Sequence, residues 1–358
     1  MATAHAKRKQ HLGQYFTPPD VVDFMYRMAE VMLGGIKLPT RIVDPACGDG
    51  EFLRAANSNG RHVLPSNLYG FDVDEQVESH WHDLRERGAN LFVHNGLYHF
   101  DILPKKISDG WFDLAIGNPP YGGIGLGEIE RLTGLKEREK QLGFFWQSVK
   151  KAQGLGDHGK AAKLSKNLDL AAAEKDREVR KLSLALRFDF SVWRANGHTL
   201  NLQEERVEKM RRSHDWKDPL ALLTGREVAA LKRYPIEAVF LERFYNLVKP
   251  GAGIVAIIIP DGILANANFL YIRRWLAAHT RIEAVVSLPR GAFKGAGTTA
   301  KTSILFFRRL DESEKGKTST GNGQNKVFLA SVAEGGDVAL ESELEEIFTA
   351  YERFALGG

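Results

Sequence analysis

The feature that most constrains this chain is an alternation of short apolar runs with helix-spaced segments, begun between residues 40 and 122 and resumed after residue 236. Arg41-Ile42-Val43-Asp44 is short and β-branched, and a glycine-rich turn leads from it into Glu51–Ala56. Leu68–Asp72, Asn90–Val93 and Phe112–Ile116 read as three more strands, and Asp74–Arg87 has helical spacing. Strands separated by helices imply βαβ units and a parallel sheet. Past the break, Ala238–Phe244 reads as an amphipathic helix. Gly253–Ile259 lacks polar alternation, as expected of a strand buried on both faces. Ala284–Leu288 and Ser303–Phe307 continue the sheet, and no internal repeat is visible.

Gly125–Pro235 interrupts the alternation. It is rich in Lys, Arg, Ala and Leu, with helical spacing around Ala171–Leu186 and Leu202–Arg212, and reads as a mostly helical insertion. It holds 23 Lys+Arg against 16 Asp+Glu, whereas the remainder holds 26 against 29. The net +4 of the whole chain is therefore a slightly acidic body plus a basic excursion. Trp193, Trp216 and several arginines there could reach nucleic-acid phosphates or bases; a solvated helical face is the alternative. Lys315–Asn325 is a polar Gly/Ser/Thr stretch, and residues 311–325 are expected to form a mobile loop.

The single cysteine, Cys47, excludes an internal disulfide and a four-cysteine zinc site, and suits a reducing, cytoplasmic setting. No metal site is expected. The longest apolar run, Ile254–Ile259, falls far short of the ~20 residues that span a bilayer. No signal peptide is visible behind the basic start Lys7-Arg8-Lys9, and no membrane association is expected.

Three motifs carry chemistry. Asp44-Pro45-Ala46-Cys47-Gly48-Asp49-Gly50 sits at a strand-to-helix turn, where Gly48 and Gly50 let backbone approach a ligand. It lacks the third glycine of a dinucleotide fingerprint. An acidic residue before Gly-x-Gly instead suits a cationic ligand such as S-adenosylmethionine; a turn that merely reverses the chain is the alternative. Asp72, ending the second strand, can accept both ribose hydroxyls, while Asp74 could equally cap the next helix. Asn118-Pro119-Pro120-Tyr121 follows the fourth strand. There the Asn118 side-chain oxygen and the Pro119 carbonyl can accept both hydrogens of a planar exocyclic amine. Pro119 and Pro120 fix the backbone, and Tyr121 offers a face for a base.

In this order the motifs resemble those of N6-adenine DNA methyltransferases of the class found in type I restriction–modification methylation subunits. Gly13-Gln14-Tyr15-Phe16-Thr17-Pro18 matches the family's first motif. Taken alone, it would be a turn with Thr17 capping a helix from Pro18 onward. Val248–Gly251, Ile257–Leu264, Val285–Phe293 and Lys301–Phe307 are also family-like, and the resemblance covers about 13–124 and 236–355.

The resemblance implies an α/β, Rossmann-like, S-adenosylmethionine-dependent methyltransferase fold. It would have a mostly parallel seven-stranded sheet, helices on both faces and a helical insertion. Residues 1–124 and 236–358 would be the two halves of one methyltransferase domain, with 125–235 inserted. Tyr15, Phe16 and Thr17 would fold over the methionine end of the cofactor, beside Asp44, Pro45, Ala46, Cys47, Gly48, Gly50, Asp72 and Asn118. Phe293 would be the second wall of a base pocket, or else a core residue. The acidic residue expected after strand three has two candidates, Asp101, favoured by spacing, and Asn95.

The implied reaction is methyl transfer to N6 of an adenine flipped out of duplex DNA, in a restriction–modification or related defence system. The implied partners are double-stranded DNA, a separate specificity subunit and a restriction subunit. Methylation of a protein glutamine, methylation of RNA adenine, and an inactive DNA-binding module are the alternatives. The chain departs from the family in starting directly at the Gln14 motif and in its long insertion after Tyr121. Its length leaves no expectation of a C-terminal recognition domain.

Overall fold

In the computed structural model of the chain, residues 17–94, 96–97, 107–121, 135–168, 235–293, 300–314, 326–333 and 339–357 are described. The expectations for Tyr15, Phe16, Asn95, Asp101, Trp193, Trp216, the helices 171–186 and 202–212, and loop residues 315–325 lie outside them. The strands are β1 Ile42–Asp44, β2 Leu68–Asp72, β3 Asn90–Val93, β4 Leu114–Gly117, β5 Ile254–Pro260, β6 Thr280–Ser287, β7 Thr302–Arg309 and β8 Phe328–Ser331. They form one sheet in the order β3-β2-β1-β4-β5-β7-β6-β8.

β1 to β5 pair in parallel, while β7 runs antiparallel to both its neighbours. The sheet is thus mostly parallel, but it has eight strands where seven were expected. β8 adds to the edge beside β6. Its burial alternates, with Leu329 72% exposed, so four residues with one outward face leave no apolar run to read. β5, by contrast, is buried from Ile254 to Ile259, as its unbroken apolar run requires.

Helix Pro19–Leu33 begins with proline in its first turn and buries Val21, Val22, Met25, Met28 and Ala29. Helix Leu340–Ala355 lies against it, with Arg27 paired to Glu345 and 3.8 Å above the Phe348 ring.

Two helical expectations are corrected. Asp74–Arg87 is a 3-10 segment, Glu75–Trp81, followed by a short α-helix, His82–Glu86. The reading of Ala238–Phe244 as amphipathic also fails. Helix Ile236–Leu247 is buried nearly all round, including Glu242 (2% exposed) and Arg243 (0%). Its charges turn inward because partners wait there: Arg243 pairs with Asp109 at 2.8 Å.

The chain divides into two compact units. Among the described residues, 17–121 and 237–357 belong to the first, and 135–168 and 235–236 to the second. The second shows helix Leu135–Gly154 and a further helix at 158–168. Phe144 and Trp146 are exposed on the former, with Lys150 Nζ 3.9 Å above the Trp146 ring. Among the described residues no helix is long and apolar enough to cross a membrane.

Candidate cofactor and acceptor site

β3, β2, β1 and β4 are adjacent and parallel, so the loops leaving them open at one edge, where open α/β sheets take their ligands. Asp44 ends β1 there and is 1% exposed. Its Oδ1 accepts from the Ala46 N–H at 3.0 Å. The turn that follows carries Gly48 (φ 51°) and Gly50 (φ 92°), a left-handed backbone that favours glycine. A Cβ on Gly50 would also stand 2.9 Å from Leu84.

Asp72, 7% exposed at the end of β2, accepts from the backbone N–H of Gly48 (2.9 Å) and of Asp74 (2.9 Å). Its carboxylate therefore holds the β1 turn as well as facing the edge. Asp74 accepts from the Gln76 N–H at 3.1 Å, which is the capping role foreseen for it.

Asp44 and Asp72 are electrostatically unusual. Burial pushes the Asp44 carboxyl up to about 8; the Ala46 N–H offsets this in part, and the nearby charges of Asp72 and Asp49 add to it. Burial likewise raises Asp72 to about 6, opposed by its backbone donors. Neither forms an ion pair among the described residues. Two buried carboxylates side by side without a cation make a site that favours a cationic ligand. Cys47 shares the turn, but burial pushes its thiol well up, so it is inert packing rather than a nucleophile.

Asn118 begins the loop after β4. Its Nδ2 donates to Thr17 Oγ1 at 3.1 Å across 101 residues of sequence. This corrects the capping role for Thr17: helix Pro19–Leu33 starts after Pro18 with no side-chain cap, and the Thr17 hydroxyl, 8% exposed, turns to Asn118 instead. The bond orients the amide. Asn118 Oδ1 is left buried and accepts no hydrogen bond among the described residues. A buried acceptor without a donor is costly unless a ligand supplies one.

The structure thus brings Thr17, Asp44, Pro45, Ala46, Cys47, Gly48, Gly50, Asp72 and the segment Asn118–Tyr121 to neighbouring loops of one edge. It does not present the aromatic rings openly. Tyr121 is 2% exposed, and Phe293, at 1%, lies in the main hydrophobic core, the packing alternative of its two readings.

Three further contributors escaped the sequence reading. Trp81, fully buried, donates its indole N–H to the Gly48 carbonyl at 2.8 Å and steadies the β1 turn. Gly96 abuts Pro45, and Gly117 abuts Asp44. The only sequence signal for Gly117 is its place directly before Asn118. A Cβ there would stand 2.6 Å from Asp44 Oδ1. Gly117→Ala is expected to lower stability by about 1–3 kcal/mol, through overpacking against a carboxylate fixed in place. It should also weaken binding at the edge. Thermal unfolding with and without ligand reads both, and a wild-type Tm would show that Asp44 is free to move aside.

A mostly parallel sheet with loops at one edge, paired buried carboxylates and a buried, unfilled amide acceptor define an α/β protein with a candidate site at that edge. Comparison with known proteins gives the family. The model of the N-6 DNA Methylase family matches residues 1–184 and 231–353, and the chain belongs to that family. The type II methyltransferase M.TthHB8I of Thermus thermophilus is 36% identical over 114 residues, which covers 32% of this chain and 22% of that protein. The methylase subunit of the type I restriction enzyme EcoEI from Escherichia coli is 26% identical over 188 residues, 48% of this chain and 36% of that one. Among solved structures, the type I restriction–modification methyltransferase subunit from Streptococcus thermophilus shares the fold, with TM-score 0.51 and 16% identity. That match covers 95% of this chain and 53% of the subunit. The chain spans less than two thirds of the length of each of these proteins.

Proposed function

We propose that the chain is a DNA adenine-N6 methyltransferase that uses S-adenosylmethionine and works in a restriction–modification or related defence system. The observation that carries the proposal is the buried, unfilled acceptor Asn118 Oδ1, set on the same edge as the Asp44–Asp72 carboxylates. The edge residues fit the cofactor, since buried carboxylates without a cation suit its ammonium, and glycine backbone in the β1 turn admits close approach.

S-adenosylmethionine supplies the methyl group when bound. Asp44 would hold its ammonium, and Asp72 its ribose hydroxyls, along the backbone of Pro45, Ala46, Cys47, Gly48 and Gly50. Tyr15, Phe16 and Thr17 would close over its methionine end. Asp101 or Asn95 would meet the amine of its adenine.

Asn118 Oδ1 and the Pro119 carbonyl accept the two hydrogens of the target adenine amine and draw its lone pair towards the methyl donor. Thr17 keeps the amide turned so that the oxygen, not the nitrogen, faces that amine. Catalysis is then positioning and polarisation by groups fixed before the substrate arrives. The base must leave the duplex stack, at a cost of a few kcal/mol. Stacking on Tyr121 offsets that cost once the entering base uncovers its ring. Phe293 is left to the core.

Duplex DNA is the proposed partner. The exposed Lys150, Lys151, Lys160, Lys163 and Lys166 of the described helices suit its phosphates. A specificity subunit and a restriction subunit are proposed on the family's pattern.

The test is incubation with methyl-labelled S-adenosylmethionine and genomic duplex DNA, followed by nucleoside mass spectrometry. The expected product is N6-methyladenine. Label in RNA alone, or in glutamine of an added protein, would overturn the proposal. Sequencing of methylated DNA from cells expressing the chain alone would show whether a fixed context is read without a partner.

A further inference from the structure

Arg243 is the one fully buried arginine of helix Ile236–Leu247, and its guanidinium reaches two distant segments. Nε donates to the Gly96 carbonyl at 2.9 Å, and Nη1 donates to Asp109 Oδ1 at 2.8 Å. Gly96 lies just past β3, with its backbone so close to Pro45 that a Cβ would overlap the Pro45 carbonyl. Arg243, Gly96 and Pro45 therefore form a continuous stack, from a helix through the Gly96 backbone to the β1 turn. Burial pulls the Arg243 pKa down, and the Asp109 charge and hydrogen bond oppose this. Filling the volume alone would be cheaper with leucine or methionine, because a buried charge pays for desolvation. What the guanidinium adds is direction: a planar fork fixes one carbonyl while it is itself fixed by a carboxylate.

The sheet order says what this stack serves. The reacting amine is placed at Asn118 after β4, and the ribose carboxylate Asp72 ends β2. β3 lies beyond β2 at the sheet edge. The nucleobase end of the cofactor, farthest from the reacting centre, then falls over β2 and β3. We propose that Arg243 is a positioning residue that holds the Gly96 backbone, just past β3, against the β1 turn and so shapes the nucleobase end of the cofactor site. This rests on the methyltransferase reading above. It adds a role to a helix that lies outside every motif.

Arg243→Lys keeps the charge and loses the fork. Asp109→Asn leaves the arginine in place and removes the charge that orients it; the Asp109 side chain is 35% exposed, so this variant is mild. Calorimetric titration with S-adenosylmethionine and S-adenosylhomocysteine should give Kd raised about 10-fold for Arg243→Lys and about 3-fold for Asp109→Asn. kcat for methyl transfer at saturating cofactor should stay within about 2-fold of wild type, because Asn118 is untouched.

Phe244→Leu, next in the helix and fully buried, lowers Tm through packing alone and should leave both Kd values as they are. Unchanged Kd in Asp109→Asn, or a fall in kcat with Kd unchanged, overturns the proposal. So does a Kd shift in Phe244→Leu that matches its loss of Tm. Should Arg243→Lys fail to fold, the Asp109→Asn and Phe244→Leu pair decides the matter. No cofactor binding by the wild-type chain would instead sink the methyltransferase reading itself.

Discussion

Asn118→Ala should cut methyl transfer by about 10²–10³-fold while leaving S-adenosylmethionine affinity within a few-fold of wild type. The size follows from what is removed: a preorganised acceptor, buried and aimed, whose amide is already held by Thr17 at 3.1 Å. The oxygen needs no reorganisation when the amine arrives, so its loss falls on the transition state more than on ground-state binding.

Two companion variants sharpen the expectation. Thr17→Val removes the hydroxyl that orients the amide and should cost less than Asn118→Ala, because the amide can still rotate into place. Asn118→Asp keeps two acceptor oxygens and lets the Thr17 hydroxyl donate in turn, so it should retain more activity than alanine. Single-turnover methylation with labelled cofactor, alongside calorimetry, separates the two effects. Equal loss of cofactor affinity and rate in Asn118→Ala would show that the side chain supports the cofactor rather than the amine.

The strands nearest the site were legible because each is a short apolar run closed by a polar or glycine residue. Leu68–Asp72 and Asn90–Val93 have the extents read for them. The fourth strand is shifted, to Leu114–Gly117, because Phe112 leaves to bridge Val248. That pairing lies 136 residues away, beyond the reach of a local pattern. The antiparallel sense of β7 was illegible for the same reason: Ser303–Phe307 has the composition of a buried strand in either direction, and only its pairing with β5 sets that sense.

The site divides along a similar line. Asp44, Asp72 and Asn118 were legible as residue types at strand ends. The contacts that orient them were not. Thr17 taken alone reads as a helix cap because local spacing favours that, and its bond to Asn118 is purely tertiary. Arg243 looked like the polar face of an amphipathic helix, since periodicity counts a charge as solvent-facing and cannot see a carboxylate and a carbonyl waiting inside.

Asp44 gives the second large effect, through the proton its buried carboxyl holds. In the cofactor-free chain the carboxyl keeps its proton up to about 8, against an ordinary value of 3.8, because burial outweighs the Ala46 N–H while Asp72 and Asp49 stand near. Between those values the folded chain binds more protons than the unfolded one. The stability linked to Asp44 is therefore present in acid and lost as pH rises towards 8. A cationic ligand reverses the preference, since an ammonium beside Asp44 favours the ionised form.

Binding S-adenosylmethionine at pH 7 should then release up to about one proton, and affinity should rise with pH from about 6 to 8. The ligand's own α-amino group loses its charge at about 7.7–8.0, so affinity peaks near the top of that range and falls beyond it. Asp44→Asn should weaken binding by at least about 10-fold, abolish most of the proton release and flatten the stability profile between pH 5 and 8. Calorimetry in buffers of different ionisation enthalpy counts the protons directly. Asp72, whose carboxyl is raised only to about 6 and is mostly ionised at pH 7, has little proton to give, so proton release at pH 7 that survives in Asp44→Asn would overturn the assignment to Asp44. That lesser capacity is what makes the two carboxylates distinguishable by titration.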